Sequence, residues 1–317
     1  MPITTFVRLT ALLVVLLLPL PVLAAQFESV VVFGDSLSDS GNHFVAFGMT
    51  SHAPFAPVPD APYAIGGHHF SNGATWAERL AAALDARKGG NPALRAPGVF
   101  TNYAVGRARA RAAAPVFPHY DLGTQVGRFL ADFGGHAAPD TLYVVEIGAN
   151  DLQDALFALA SDPTGATSGA ILEQALTAVA TNVFTLWATG ARSFLVVDAP
   201  DLSITPVIRS LGPEVQFAAG YLSAVYNAGL ATVLAGVSGL PGIQVSRLDL
   251  NAVFAAIVAS PEAFGVENVD APCLTFGVVA HAVCAQPNRH LFWDGIHPTA
   301  RGHEIIADAA EEALAAE

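Results

Sequence analysis

The sequence predicts an α/β fold in which a parallel sheet is covered by helices on both faces. Five short runs carry this reading: Ser29–Phe33, Thr101–Val105, Leu142–Ile147, Ser193–Val197 and Ile243–Leu248. They read as continuous apolar stretches, the mark of strands buried on both sides. Long Ala-rich segments with helical spacing lie between the later runs, as parallel connections require.

Taken in order, Val30–Phe33 is apolar and runs into Gly34-Asp35-Ser36, a strand ending in a sharp turn of small polar residues. Residues 53 to 73 are rich in Gly and Pro and read as an excursion from the sheet. Ala170–Thr189, closed by Gly190, and Val215–Ala235 read as helices. Residues 260 to 289 form a second excursion, and Thr299–Ala315 is a last helix started after Pro298. No repeat or domain linker interrupts this order.

The first 24 residues read as a cleaved signal peptide: Arg8, an apolar run from Leu9 to Leu23, then Val22-Leu23-Ala24-Ala25. An uncleaved anchor is the other reading, but Pro19 and Pro21 break the run. Residues 25–317 are then a single domain, in a secreted or periplasmic protein. The two cysteines, Cys273 and Cys284, read as one disulfide in that setting. No cysteine-rich metal spacing occurs. The net charge of −13 repels phosphate backbones and argues against nucleic acid as a partner. Hydrophobic residues make up 53% of the chain, enough for a large core and too much for disorder.

In open parallel sheets, ligands bind at the carboxyl ends of strands. Ser36 follows the first strand and Asn150 follows the third through "VVEIGAND". A nucleophilic serine needs a base, and the base an orienting acid. Of the ten histidines, His43, His52, His68 and His69 read as loop residues, and His303 as a helix-surface residue. His297 differs, standing in "FWDGIHPTARGH" with Asp294 three positions before it and Pro298 stiffening the chain after it. Such an offset can bring a carboxylate to Nδ1 and leave Nε2 for a serine, although Asp-x-x-His also makes an ordinary structural turn. Trp293 reads as a packing aromatic or a pocket wall. Oxyanion donors could come from the Asn150 amide and from the turn "NYAVGRARA", residues 102 to 110.

"FGDSLSDSGN", "NYAVG", "GAND" and "FWDGIHPT", in this order, resemble the four blocks of the GDSL, or SGNH, hydrolase family. "HFSNGATWAERLA" resembles the branch holding plant GDSL lipases and bacterial secreted esterases, lysophospholipases and lipid acyltransferases. The resemblance implies a flavodoxin-like three-layer α/β/α sandwich with a five-stranded parallel sheet. It implies a serine ester hydrolase without cofactor or metal: Ser36 as nucleophile, His297 as base and Asp294 orienting it. The Ser36 N–H, a second-block N–H and the Asn150 amide would form the oxyanion hole. Asp35, Asp39 and Asn42 would shape the first turn. The family commonly has two glycines where this chain has Gly106-Arg107, and spacing from Asn102 puts the expected donor on Arg107. Arg107, Arg109 and Arg111 read together as a basic, solvated strip. The implied substrate is a small-molecule or lipid ester, with transient membrane-lipid contact open and no protein partner implied. Acyl transfer to an alcohol or sterol is the alternative chemistry, and a non-catalytic binding module the alternative class.

Overall fold

The computed structural model describes residues 27–48, 50–55, 68–112 and 120–316. The expected leader and its cleavage point lie outside the described residues.

Four parallel strands form the sheet: β1 (Ser29–Gly34), β2 (Thr141–Glu146), β3 (Ser193–Val197) and β4 (Gln244–Leu248). They lie side by side in chain order, with Val32 beside Val144 and Val144 beside Leu195. Every residue of β2 is buried, which is why the strand runs read as continuous apolarity.

The expected strand Thr101–Val105 is a correction. It runs beside the free edge of β1 and makes strand-like bonds: Val32 N–H to Thr101 O, Tyr103 N–H to Val32 O and Val105 N–H to Gly34 O. Its regular pairing with β1 is one parallel bridge, Val32 to Asn102, and Asn102 bridges to Pro92 on its other side. The ladder stops because the next donor, the Gly34 N–H, goes to Gln125 Oε1 instead of to this segment. With this segment as an incomplete fifth member, the order is that of flavodoxin-like sheets. The order reverses between β1 and β2, so the turns after these two strands flank the switch point.

Helices cover both faces. On one lie α3 (Leu122–Asp132), α4 (Ala149–Ala158), α5 (Ala166–Ala188) and α7 (Pro213–Val237), over a core including Phe33, Tyr143, Phe194 and Tyr226. On the other lie α2 (Trp76–Ala83), α8 (Leu250–Ala259) and α9 (Ala300–Ala315), over Val32, Val144, Leu195 and Phe292. Short helices α1 (Asn42–Phe47) and α6 (Pro206–Ser210) complete the set. Thr299 caps α9 by accepting the Gly302 N–H, which places it just before the helix.

Cys273 and Cys284 form a disulfide. The bridged hairpin leans on the segment before Asp294: Cys273 N–H donates to Phe292 O and Leu274 N–H to Trp293 O. Trp293 is fully buried against Phe55, Cys273 and Leu274, so it packs rather than lining the cleft.

Candidate active site

Ser36 sits in the turn that ends β1. Gly34 permits that turn, because a Cβ there would lie 2.5 Å from the Glu146 carbonyl oxygen. The backbone of Gly34 is gripped by one side chain: its N–H donates to Gln125 Oε1 at 2.9 Å, and its carbonyl accepts from Gln125 Nε2 at 2.8 Å. The Leu37 N–H donates to Asp35 Oδ1 and folds the chain back under the serine.

From the far end of the chain comes His297. Its Nε2 lies 2.8 Å from Ser36 Oγ, and its Nδ1 lies 2.8 Å from Asp294 Oδ2. Asp294 Oδ1 accepts the backbone N–H groups of Ile296 and His297. One carboxylate therefore both shapes the turn and orients the imidazole, which fixes the tautomer with the proton on Nδ1. Asp294 and His297 are buried, while Ser36 keeps an open side. The Phe70 ring packs 5.2 Å from the imidazole.

Asp39 and Asn42 lock the first block to the second. Asp39 accepts from the N–H groups of Gly41, Asn42 and His43 and, with Oδ2 at 2.7 Å, from Gly106 N–H. Asn42 Nδ2 donates to the carbonyls of Asn102 and Ala104. The Gly106 N–H is therefore spent on Asp39, which corrects the expectation that it could face an oxyanion. Gly106 is needed for another reason: a Cβ there would lie 2.3 Å from the Phe70 ring. The next residue, Arg107, has φ 70, the left-handed conformation that glycine adopts without strain.

Asn150 opens α4 after β2 and reaches the same edge of the sheet. Its Nδ2 donates to Ala108 O at 2.9 Å and, more weakly, to Asp35 Oδ2 at 3.3 Å. The basic strip is a correction. Arg109 Nε and Nη2 clasp Asp154 at 2.6 and 2.7 Å, and Arg111 pairs with Asp154 and, at 3.3 Å, with Asp151. Acidic residues of α4 collect Arg109 and Arg111, so they brace the loop after Gly106 instead of extending into solvent.

Two histidine expectations are overturned, those for His43 and His303, while His69 keeps its place in a loop but is buried there. His43 is buried in α1 between Phe47 and Phe70, and burial pushes its imidazole down to about 4. His69 is buried and pairs with Glu78 at 2.9 Å. His303 is buried where α9 meets α2 and accepts the Trp76 N–H at Nδ1; burial pushes it down to about 3. His119 lies outside the described residues.

Glu146, the acid within "VVEIGAND", is a site residue that motif reasoning passes over. It ends β2 fully buried, and its Oε2 accepts from Ser38 Oγ, which accepts from Trp76 Nε1. Burial, then the nearby Asp35 charge, hold its carboxyl well above the usual range; Asp35 itself is pushed up to about 6 by burial. The sequence signal was a lone acid inside an apolar run. Gln125 and Phe70 carried no comparable signal.

Beside Ser36 opens a mostly apolar cleft lined by Leu37, Leu202, Val207, Ile208, Phe254 and Ile296. Among the described residues no group of three or more His, Cys, Asp or Glu is placed to hold a metal.

The chain is 25% identical over 313 residues to a GDSL esterase/lipase of Arabidopsis thaliana, covering 87% of this chain and 84% of that protein. It is 26% identical over 299 residues to the thermolabile hemolysin of Vibrio parahaemolyticus, covering 89% of this chain but under two thirds, 63%, of the hemolysin. It is 28% identical over 247 residues to the phosphatidylcholine-sterol acyltransferase of Aeromonas hydrophila, covering 78% and 65%. The model of the GDSL-like lipase/acylhydrolase family matches residues 30–310, and the chain belongs to that family.

Proposed function

We propose that the protein is an exported serine hydrolase that cleaves carboxylic esters through an acyl-enzyme on Ser36. One observation carries this reading: the unbroken relay from Ser36 Oγ to His297 Nε2 and from Nδ1 to Asp294, each step 2.8 Å, at the side of an apolar cleft.

In this reading Ser36 Oγ attacks the ester carbonyl carbon while His297 Nε2 takes the hydroxyl proton. Asp294 stabilises the imidazolium that forms. The carbonyl oxygen becomes an oxyanion held by the Ser36 and Arg107 N–H groups and by Asn150 Nδ2. Arg107 is preferred to Gly106 because the Gly106 N–H is held by Asp39. Asn150 supplies the hydrogen it aims weakly at Asp35, and keeps its bond to Ala108. The tetrahedral adduct collapses, His297 gives its proton to the leaving alkoxide, and the acyl group stays on Ser36. Water, deprotonated by His297, then attacks the acyl carbon, and as the adduct collapses to the acid His297 returns the proton to the departing Ser36 Oγ.

The acyl chain lies in the cleft between Leu202, Val207, Phe254 and Ile296. Export rests on the leader-like first residues and on the disulfide, which persists in oxidising compartments. A second reading, transfer of the acyl group to an alcohol in place of water, is favoured by the likeness to the Aeromonas acyltransferase.

The test is a panel of esters varied in acyl length and head group, with and without an acceptor alcohol. Turnover with labelling by a fluorophosphonate is expected, and both vanish in Ser36→Ala. Labelling that persists in that variant refutes the assignment. Esters of the acceptor alcohol among the products favour the transferase reading.

A further inference from the structure

The helix α7 is 25 residues long, and its only charged residue is Glu214 in the first turn. Its face away from the sheet is nonetheless open. Phe217 is 77% and Tyr221 61% exposed, and Val225 continues the row at the same four-residue spacing. Leu211, between α6 and α7, and Phe157, on α4, are also more than half exposed. Large side chains this apolar cost free energy in water, and a cluster of them on one side marks a contact surface.

This surface adjoins the catalytic cleft. The hairpin from Pro206 to Tyr221 turns Val207 and Ile208 into the cleft and Leu211, Phe217 and Tyr221 outward. On α4, Gln153 lines the cleft and Phe157 follows on the same helix face one turn on. A shallow apolar groove between α7 and α8 includes Ile204, Ala255 and Val258, and shares Phe254 with the cleft as a common wall. The uncharged helix α8 therefore extends the same surface.

We propose that the outer face of α7, with Leu211 and Phe157, docks on the surface of a lipid aggregate with a zwitterionic or neutral head-group layer, and that ester lipids reach Ser36 from it. This rests on the hydrolase reading above. Charge selects the lipid. The chain has a net charge of −13, and the one arginine of the hairpin, Arg209, is paired with Asp270, so its charge is offset on this face and an anionic layer is disfavoured. Phe217 and Tyr221 suit the boundary itself, where an apolar ring body is buried and a phenol stays wet. A second copy of the chain seated on this face would cover the hairpin and α4 beside the cleft and obstruct substrate entry.

The experiment measures co-sedimentation of the full Ser36→Ala chain with phosphatidylcholine vesicles at physiological salt. Binding is expected, and Phe217→Ser with Tyr221→Ser in that background should weaken it at least tenfold. The same pair with Ser36 intact should hydrolyse a soluble short-chain ester within twofold of the parent, showing an intact fold and site. Absence of binding to phosphatidylcholine overturns the proposal, as does equal binding by the double variant. Binding only to vesicles containing phosphatidylglycerol overturns the choice of lipid. A dimer that dissociates in the double variant makes the occupant a second copy, and also overturns it. Because binding is read on a protein that cannot turn over, vesicle binding without any ester turnover sinks the hydrolase reading alone.

Discussion

Two adjacent residues divide the work that a glycine pair does elsewhere in the family. Gly106 has no room for a side chain against Phe70, whereas Arg107 has room but a left-handed backbone. Gly106→Ala should therefore push Phe70 toward His297 and cut ester turnover by at least tenfold, read as kcat on a soluble ester. Arg107→Gly should relieve roughly 1 kcal/mol of backbone strain, partly offset by the entropy glycine adds to the unfolded chain, and leave turnover near the parent's. A large loss of turnover in Arg107→Gly would mean that the side chain itself holds the loop. At this scale the arrangement of Ser36, His297 and Asp294 was legible because Asp294 and His297 are close in sequence and stiffened by Pro298. The fate of the Gly106 N–H was not, because its acceptor, Asp39, is 67 positions away. His303 shows a signal present but unread: it stands three, four and seven positions before Ile306, Ala307 and Ala310, on the apolar face of α9.

Among the elements, strands β1 to β4 and the long helices matched their apolar patterns to within a few residues at their ends. The segment from Thr101 to Val105 did not, since apolarity cannot reveal that Gln125, from α3, takes the Gly34 N–H that would continue the ladder. The bridged hairpin is the element with the most direct mechanical tie to the base. Its 11-residue separation gives about 3 kcal/mol of stabilisation in the loop-entropy model. Reduction should lower the urea midpoint accordingly. It should also slow turnover, because Phe292 and Trp293, held by the hairpin, lead directly into Asp294. Equal midpoints for oxidised and reduced protein would show that the bridge adds nothing.

Across the whole molecule, buried acids collect where β1 and β2 end. Burial raises Asp35 to about 6, Asp151 to about 7 and Glu146 well above its ordinary value. Each folded value lies above the unfolded one, so the folded state holds these protons more tightly. Their stabilisation is fully present below pH 4, where unfolded carboxyls also bind protons, and is lost as pH rises through about 6 to 7. Thermal stability should accordingly decline between pH 5 and pH 8. Glu146→Gln should flatten that decline, through its own charge and through relief of Asp35. A variant that loses stability as steeply as the parent would place the titration elsewhere. None of this was legible in composition, because a net charge says nothing about which acids the fold has desolvated.

The proposed nucleophile, Ser36, and its proposed base, His297, stand 261 positions apart, and the segment carrying His297 follows the last strand. A chain still being synthesised can lay down β1 to β3, with Ser36 and Asn150 in place, before any of His297 exists. The serine is unarmed for most of translation, and the helix α9 that follows His297 packs back against α2 only afterwards. In the proposed reading, chemical competence thus waits for the segment carrying Asp294 and His297, and the order of the sequence separates the making of the serine from its arming in time.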